Sequence, residues 1–121
     1  MQTLPGIQLQ LSNKDLFEAF KRQLMKDFEQ SSFRVAFIAT LEPEYERIHK
    51  TIALELARNE IKTNANLMQL LYRIDISEAQ LKRYRDKDKN EKYFNVVAEL
   101  IIKRILQKVV VRQLYKNKED S

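Results

Sequence analysis

Apolar residues recur at three- and four-residue steps along most of this chain, the spacing of an amphipathic helix. The clearest run spans residues 91–117, which contain neither Gly nor Pro and are apolar over more than half of the helical circumference. As one helix it would be about 40 Å long, whereas a chain of this size has a radius of gyration of about 14 Å. We therefore expect either a central strut or a projection toward a partner.

Two shorter helices are predicted in the first half of the chain. The first begins at Ser12 or Asn13, either of which can cap it. The second begins near residues 40–42, because Pro43 is tolerated in a first helical turn, where it has no hydrogen bond to lose. Their apolar stripes are Leu16, Phe17, Phe20, Leu24 and Phe28 in the first, and Tyr45, Ile48, Ile52 and Leu56 in the second.

Two more helices are predicted before the long one. A third covers residues 67–74, after a break marked by Thr63, Asn64 and Asn66. The spacing of Ser77 and Gln80 matches a capping box and predicts the start of a fourth. The predicted fold class is therefore all-α, with about five helices packed around a long C-terminal helix in a single domain, residues 1–121.

A minor two-stranded element near the N-terminus is an alternative for part of the chain. Ile7, Leu9 and Leu11 alternate with Gln, the pattern of a short half-buried strand, which makes residues 1–11 an extended N-terminal segment. The partner strand would be residues 33–41. That segment alternates as well, but Phe33, Phe37 and Leu41 also fit the helical spacing, so strand and helix both remain open there.

Composition restricts the compartment and the class of protein. The chain has no Cys, which excludes disulfides and thiolate metal sites and fits a reducing compartment, so we expect a cytoplasmic protein. The most apolar window, residues 93–111, contains one Glu and three basic residues. Each charge at mid-bilayer would cost about 2.5 to 3.5 kcal/mol, so we expect no membrane span.

Charge is distributed unevenly along the chain. Residues 1–60 carry 8 basic and 9 acidic residues, whereas residues 61–121 carry 14 basic and 8 acidic residues. On the last predicted helix Arg104, Lys108, Arg112 and Lys116 recur every four residues and form one basic stripe. This asymmetry indicates an anionic partner for the C-terminal half, although excess basic residues also serve solubility.

The segment 67–85 resembles a helix-turn-helix DNA-binding unit. The resemblance rests on Leu70, Leu71, Ile74, Asp75, Ile76, Ser77, Leu81 and Tyr84, and it departs from the pattern at Asp75, where Gly is usual, and at Leu71, where a small residue is usual. It implies that the second helix reads DNA in the major groove. The side chains available for nucleic-acid contact are Gln80, Lys82, Arg83 and Arg85, joined by Arg104, Lys108 and Arg112 of the basic stripe. An ordinary helix-helix corner is the alternative.

The apolar arc of the last helix is wider than one neighbour usually buries. We interpret it either as a core helix enclosed by the others or as a face for self-association, since a large exposed apolar patch is otherwise a liability. The residues expected at such a homodimer contact are Ile101, Ile102, Ile105, Leu106 and Val109.

No residue pattern in the chain indicates catalysis or a cofactor. Glu46 and His49 have the E-x-x-H spacing of di-iron bundles, but those require two copies and the chain has one His. Gly6 is the sole Gly, which excludes a Gly-rich phosphate loop. We therefore expect no metal, no cofactor and no small-molecule substrate. The function predicted is a non-enzymatic helical interaction module that forms a homodimer, with DNA or RNA binding as the alternative.

Overall fold

The computed structural model describes residues 5–59, 64–87 and 92–119. Within these ranges the chain forms seven α-helices and no strand. The all-α class is confirmed, with seven helices rather than about five. They are α1 (Pro5–Ser12), α2 (Lys14–Gln30), α3 (Ala36–Ala39), α4 (Tyr45–Asn59), α5 (Asn64–Ile74), α6 (Glu78–Lys87) and α7 (Tyr93–Glu119).

The long C-terminal helix is unbroken, as predicted, and forms the centre of the fold. α7 runs for 27 residues and packs against α1, α2, α4, α5 and α6, most extensively against α4 and α2. Because neighbours surround its first two-thirds, side chains on several of its faces are buried together. These are Val96, Val97, Ala98, Leu100, Ile101, Ile102, Ile105, Leu106 and Val109.

The predicted N-terminal strand is wrong, because its residues form α1. Ile7 and Leu11 lie one helical turn apart and are both buried, whereas Leu9 between them is 73% exposed. All three apolar residues fit the strand period, but the first and third also fit the helical period, and here these two pack while Leu9 faces solvent. Pro5 begins the helix, at a position where its missing N–H has no intrahelical partner. The segment predicted to be extended is therefore helical from Pro5 onward.

Residues 33–41 are neither a strand nor one continuous helix. The helical part is the single turn of α3, and the flanking residues are irregular. The segment is held by aromatic packing against the end of α2. The ring centroid of Phe28 lies 5.4 Å from that of Phe33 and 5.7 Å from that of Phe37. The periodicity within residues 33–41 does not report these contacts with the end of α2.

The second predicted helix begins later than expected, at Tyr45, and Pro43 precedes it. A side chain from α1 fixes this start. Gln8 Nε2 donates a hydrogen bond to the Pro43 carbonyl at 2.8 Å, and the Tyr45 backbone N–H donates to Gln8 Oε1 at 3.0 Å. The first turn of α4 thus receives its cap from a residue far away in sequence.

The start of α2 follows the predicted chemistry, and the ends of α2 and α5 share a motif that was not predicted. Asn13 is the N-cap of α2, and its side chain accepts the Leu16 N–H at 3.0 Å. α2 and α5 both end in Schellman motifs, in which one residue is left-handed: Ser32 with φ 66° and Asp75 with φ 70°. In the motif after α5, the Ile76 N–H donates to the Leu71 carbonyl at 2.9 Å.

Candidate functional site

The five residues predicted for self-association lie inside the protomer. Ile101, Ile102 and Ile105 are fully buried, and Leu106 and Val109 are no more than 2% exposed. For this part of the arc the structure agrees with the interpretation as a core helix, because five other helices enclose it. A second copy could reach these side chains only if the core opened, so they cannot form a docking surface on the folded chain.

The C-terminal turns of α7 extend past this enclosed section and expose apolar side chains. Val111 is 44% exposed, Leu114 60% and Tyr115 67%. Their spacing of three and four residues places them on one face of the helix. We call these three residues the α7 end face. It is the part of the predicted projection that the structure leaves uncovered, and the sequence prediction missed it because it stopped at Val109.

A second pair of exposed apolar residues lies on another helix. Met68 is 45% exposed and Tyr72 87% exposed, and they are one turn apart on α5. Scattered exposed apolar residues are ordinary on protein surfaces. This pair is nevertheless useful as a comparison for the α7 end face, because it has similar chemistry on a helix whose other face is well packed.

A buried carboxylate links three helices beneath the basic stripe. Asp27 of α2 is 2% exposed. Its Oδ2 accepts a hydrogen bond from Gln23 Nε2 at 3.1 Å, and its Oδ1 lies 3.8 Å from Arg73 Nε on α5. Lys108 of α7 donates to the Arg73 carbonyl at 3.3 Å, and Arg112 Nη1 donates to Gln23 Oε1 at 2.7 Å. We call Gln23, Asp27, Arg73, Lys108 and Arg112 the polar seam.

The polar seam contains more positive charge than its one carboxylate balances. Burial lowers the pKa of Lys108, the nearby guanidinium groups of Arg104 and Arg112 lower it further, and Asp27 and Asp75 partly oppose the change. The Arg73 Nε is buried without a hydrogen-bond partner. Removing the Asp27 charge would therefore leave several cations near one another in a poorly solvated place.

Sequence reasoning missed Gln23 and Asp27, although a signal was present. They lie four residues apart at the edge of the apolar stripe formed by Phe20, Leu24 and Phe28. Polar residues interrupting a buried stripe are uncommon unless they are paired. Besides each other, they pair with Arg73 of α5 and Arg112 of α7, which no spacing within α2 could have identified.

Four cations line a groove beside the polar seam, between α2 and α7. Arg22 and Lys26 come from α2, and Arg112 and Lys116 come from α7. The amide side chains of Gln23 and Gln113 also line it, and its volume is about 380 Å³. We call it the α2–α7 groove. Two of its cations belong to the predicted basic stripe, whereas Arg22 and Lys26 were not predicted.

The remaining predicted nucleic-acid contacts lie elsewhere or are engaged. Arg104 pairs with Asp75 at 3.0 Å. Lys82 and Arg83 are exposed on α6, and the side chain of Arg85 lies outside the described residues. The structure thus gathers Arg104, Lys108 and Arg112 along one side of α7, while the hydrogen bonds and ion pairs of that side do not include Lys82 or Arg83.

The α5–α6 corner has a left-handed turn and the capping box predicted from the spacing of Ser77 and Gln80, as an ordinary helix-helix corner would. Asp75 adopts the left-handed turn conformation, and the capping box forms, with the Ser77 N–H donating to Gln80 Oε1 at 2.9 Å and the Gln80 N–H donating to Ser77 Oγ at 3.2 Å. Reading adenine requires both ends of a Gln amide. Because Gln80 Oε1 already serves the cap, Gln80 would have to leave it to read a base.

His49 has a structural partner in this fold. It is 7% exposed and stacks on Tyr45 at 5.6 Å. Its Nε2 lies 2.7 Å from the Asn95 carbonyl, and since a carbonyl only accepts, that nitrogen carries the proton. Across the part of the chain that the structure describes, no three His, Asp or Glu side chains converge as metal ligands would.

No protein-family model, no curated protein and no solved structure matches this chain. Among the described residues, none of the helices combines the length and the apolar character that crossing a bilayer requires.

Proposed function

We propose that the protein is a non-enzymatic helical interaction module that self-associates through the α7 end face. The observation that supports this proposal is the cluster of Val111, Leu114 and Tyr115, which are 44%, 60% and 67% exposed on one face of a helix. An isolated end of a helix is marginally stable in water, because most helical stability in proteins comes from packing. Pairing with a second copy would supply that packing. The cytoplasm remains the predicted location.

Two copies would pair these faces around a twofold axis, so that each α7 end meets its equivalent. Three side chains on each copy make a small contact, and interfaces below about 1,200 Å² in total belong to weak, transient complexes. We therefore expect a dissociation constant on the order of tens of micromolar. Because Arg112 and Lys116 lie on the same segment of both copies, their repulsion should weaken pairing at low salt.

The test is sedimentation velocity over a range of protein concentrations. The wild-type chain should shift toward a dimer as its concentration rises, and more so when NaCl is increased. A double variant, Leu114→Gln with Tyr115→Gln, should remain monomeric with an unchanged circular dichroism spectrum and melting temperature.

The matched control is Met68→Gln with Tyr72→Gln, which removes two exposed apolar side chains from α5 and adds no charge. This control should associate like the wild-type chain. A wild-type chain that stays monomeric at about 100 µM in both low and high salt would contradict the proposal. So would equal loss of association in both double variants.

Nucleic-acid binding through α6 is the second candidate. It is supported by the α5–α6 corner and by Lys82 and Arg83, which are exposed and have no ion-pair partner among the described residues. Phosphate contacts release counterions, so affinity for labelled duplex DNA or RNA should fall steeply between about 50 and 200 mM salt. Fluorescence polarisation would measure this, with Lys82→Gln plus Arg83→Gln as the variant. No binding at low salt would remove this candidate.

A further inference from the structure

The four cations of the α2–α7 groove lack carboxylate partners within the described residues. Arg22, Lys26, Arg112 and Lys116 take part in none of the ion pairs that the structure contains there. Some other cations of the described residues do pair: Lys21 with Glu18 at 3.3 Å and Arg47 with Glu42 at 3.0 Å. Four positive charges therefore line the groove without an ion pair among the described residues, and a recess lined by cations attracts an anion.

The groove is also organised beyond its net charge. Gln23 is 9% exposed and is held in place because its Nε2 donates to the buried Asp27. Its Oε1 accepts from Arg112 Nη1 at 2.7 Å, which orients the guanidinium group in the wall of the groove. One Nη1 hydrogen of five guanidinium N–H donors is used there, and others are left for a ligand. A preoriented Arg is the residue best suited to oxygen atoms of a phosphate.

The spacing of the cations indicates more than one phosphate group. α2 and α7 run antiparallel here, since Lys108 lies near Asp27 while Arg112 contacts Gln23. Arg22 and Lys26 are one turn apart on α2, and Arg112 and Lys116 are one turn apart on α7, so the Cβ atoms within each pair are about 6 Å apart. Two such pairs facing each other extend over about two turns, or about 11 Å. A single phosphate is too small to contact all four.

The residues around the groove favour a small ligand over a long nucleic-acid strand. A recess adjoining the groove, which shares Arg22, Gln113 and Lys116 with it, is also lined by Asp15 and Glu18. A polyanion continuing along α2 would meet these two carboxylates and be repelled. The volume of about 380 Å³ lies at the small end of the range for small-molecule sites.

We propose that the α2–α7 groove binds a small molecule carrying two or more phosphate groups. Arg112, oriented by Gln23, would bind one phosphate with two hydrogen bonds, and Lys26 and Lys116 would supply point charges to the others. This site is independent of the proposed function. On a helix that turns 100° per residue, Arg112 and Lys116 lie more than 90° away from the centre of the α7 end face.

The experiment is isothermal titration calorimetry with tripolyphosphate, pyrophosphate and inorganic phosphate on the full chain. Tripolyphosphate should bind one per chain and roughly tenfold more tightly than inorganic phosphate, with affinity falling as salt rises. Lys116→Gln and Lys26→Gln should each weaken it by roughly tenfold, since each removes a charge-assisted contact. Gln113→Glu, which places a carboxylate in the groove, should weaken it more.

Lys50→Gln is the matched control, because it removes the same charge from an exposed position on α4. It should bind tripolyphosphate like the wild-type chain, and so should the double variant at Leu114 and Tyr115. Equal affinity for all three phosphates, equal effects of Lys50→Gln and Lys116→Gln, or no heat at low salt would each overturn the proposal. So would tighter binding of a 12-nucleotide RNA that is lost in Lys116→Gln, because the groove would then hold a strand. Failure here leaves self-association untouched.

Discussion

Ser32 ends α2 in a conformation that its side chain does not favour. With φ at 66° it occupies the left-handed region, where an L-residue other than Gly costs about 1 to 2 kcal/mol. The position is nevertheless required, because the Phe33 N–H that follows donates to the Phe28 carbonyl at 2.9 Å and the two rings pack together. The hydrogen bond and the aromatic contact therefore offset the strain at Ser32.

Ser32→Gly should stabilise the protein by about 0.5 to 1 kcal/mol, because Gly adopts this conformation without a steric penalty but loses more entropy on folding. The exposed Ser32 side chain has few contacts to lose. Ser32→Val should destabilise by about 1 to 2 kcal/mol, since a β-branched side chain is excluded there. Urea denaturation measures both. Equal stability of the two variants would show that the turn relaxes.

Lys108 should make stability depend on pH in the alkaline range. Its pKa is lowered in the folded chain, chiefly by burial, relative to about 10.4 in the unfolded chain. As pH rises between these two values the unfolded state holds more protons, so folding becomes more favourable. Below the pKa of the folded state, Lys108 is charged in both states, so burying its charge lowers the free energy of unfolding by an amount that does not change with pH.

The prediction is that wild-type stability rises relative to Lys108→Met as pH increases from the folded pKa toward 10.4. Comparing the two proteins removes the contribution of the other titrating groups. Urea denaturation in steps of pH from about 7 upward would measure the difference. A difference that stays constant over this range, or that changes in favour of Lys108→Met, would contradict the assignment of the cost to burial.

At the scale of elements, the polar seam fixes how α2, α5 and α7 meet. Asp27→Asn keeps the shape but removes the charge, so Arg73 and Lys108 lose their buried counterion. We expect a loss of about 2 to 3 kcal/mol. Glu29→Gln, an exposed carboxylate on the same helix, should change stability by less than about 0.5 kcal/mol.

A double variant tests whether the stability lost in Asp27→Asn comes from its interaction with Arg73 or from a local defect in α2. Adding Arg73→Met to Asp27→Asn removes the cation that was left unpaired, so the second change should restore part of the lost stability. In an otherwise wild-type chain Arg73→Met should destabilise. The chemical midpoint in urea reports all four proteins. Additive effects would mean that Asp27 and Arg73 do not interact across the 3.8 Å that separates them.

The success of sequence reasoning also varies with the kind of element. α7 was predicted as one helix because apolar spacing repeats many times along it, and the Ser77–Gln80 capping box was predicted because both partners are close in sequence. α1 was missed because Ile7, Leu9 and Leu11 all fit the strand period, whereas only Ile7 and Leu11 fit the helical one. The start of α4 was misplaced because Gln8, which caps it, is 37 residues from Tyr45.

At the scale of the molecule, the sequence left open whether the other helices enclose α7. The width of the α7 arc was predicted from sequence, but whether neighbours cover it depends on how α1, α2, α4, α5 and α6 are arranged around it. The α2–α7 groove likewise depends on how the helices are arranged. The α2–α7 groove exists because two helices distant in sequence run antiparallel, and a stripe on either helix alone gives only half of its cations.

The central position of α7 has a consequence for biosynthesis. The ribosome releases residues 93–109 after α1 to α6, yet these residues complete the interior that the earlier helices share. Translation adds about 5 to 20 residues per second. The apolar faces of the earlier helices therefore stay exposed on the order of seconds before α7 can cover them. Transiently exposed apolar surface of this kind favours aggregation.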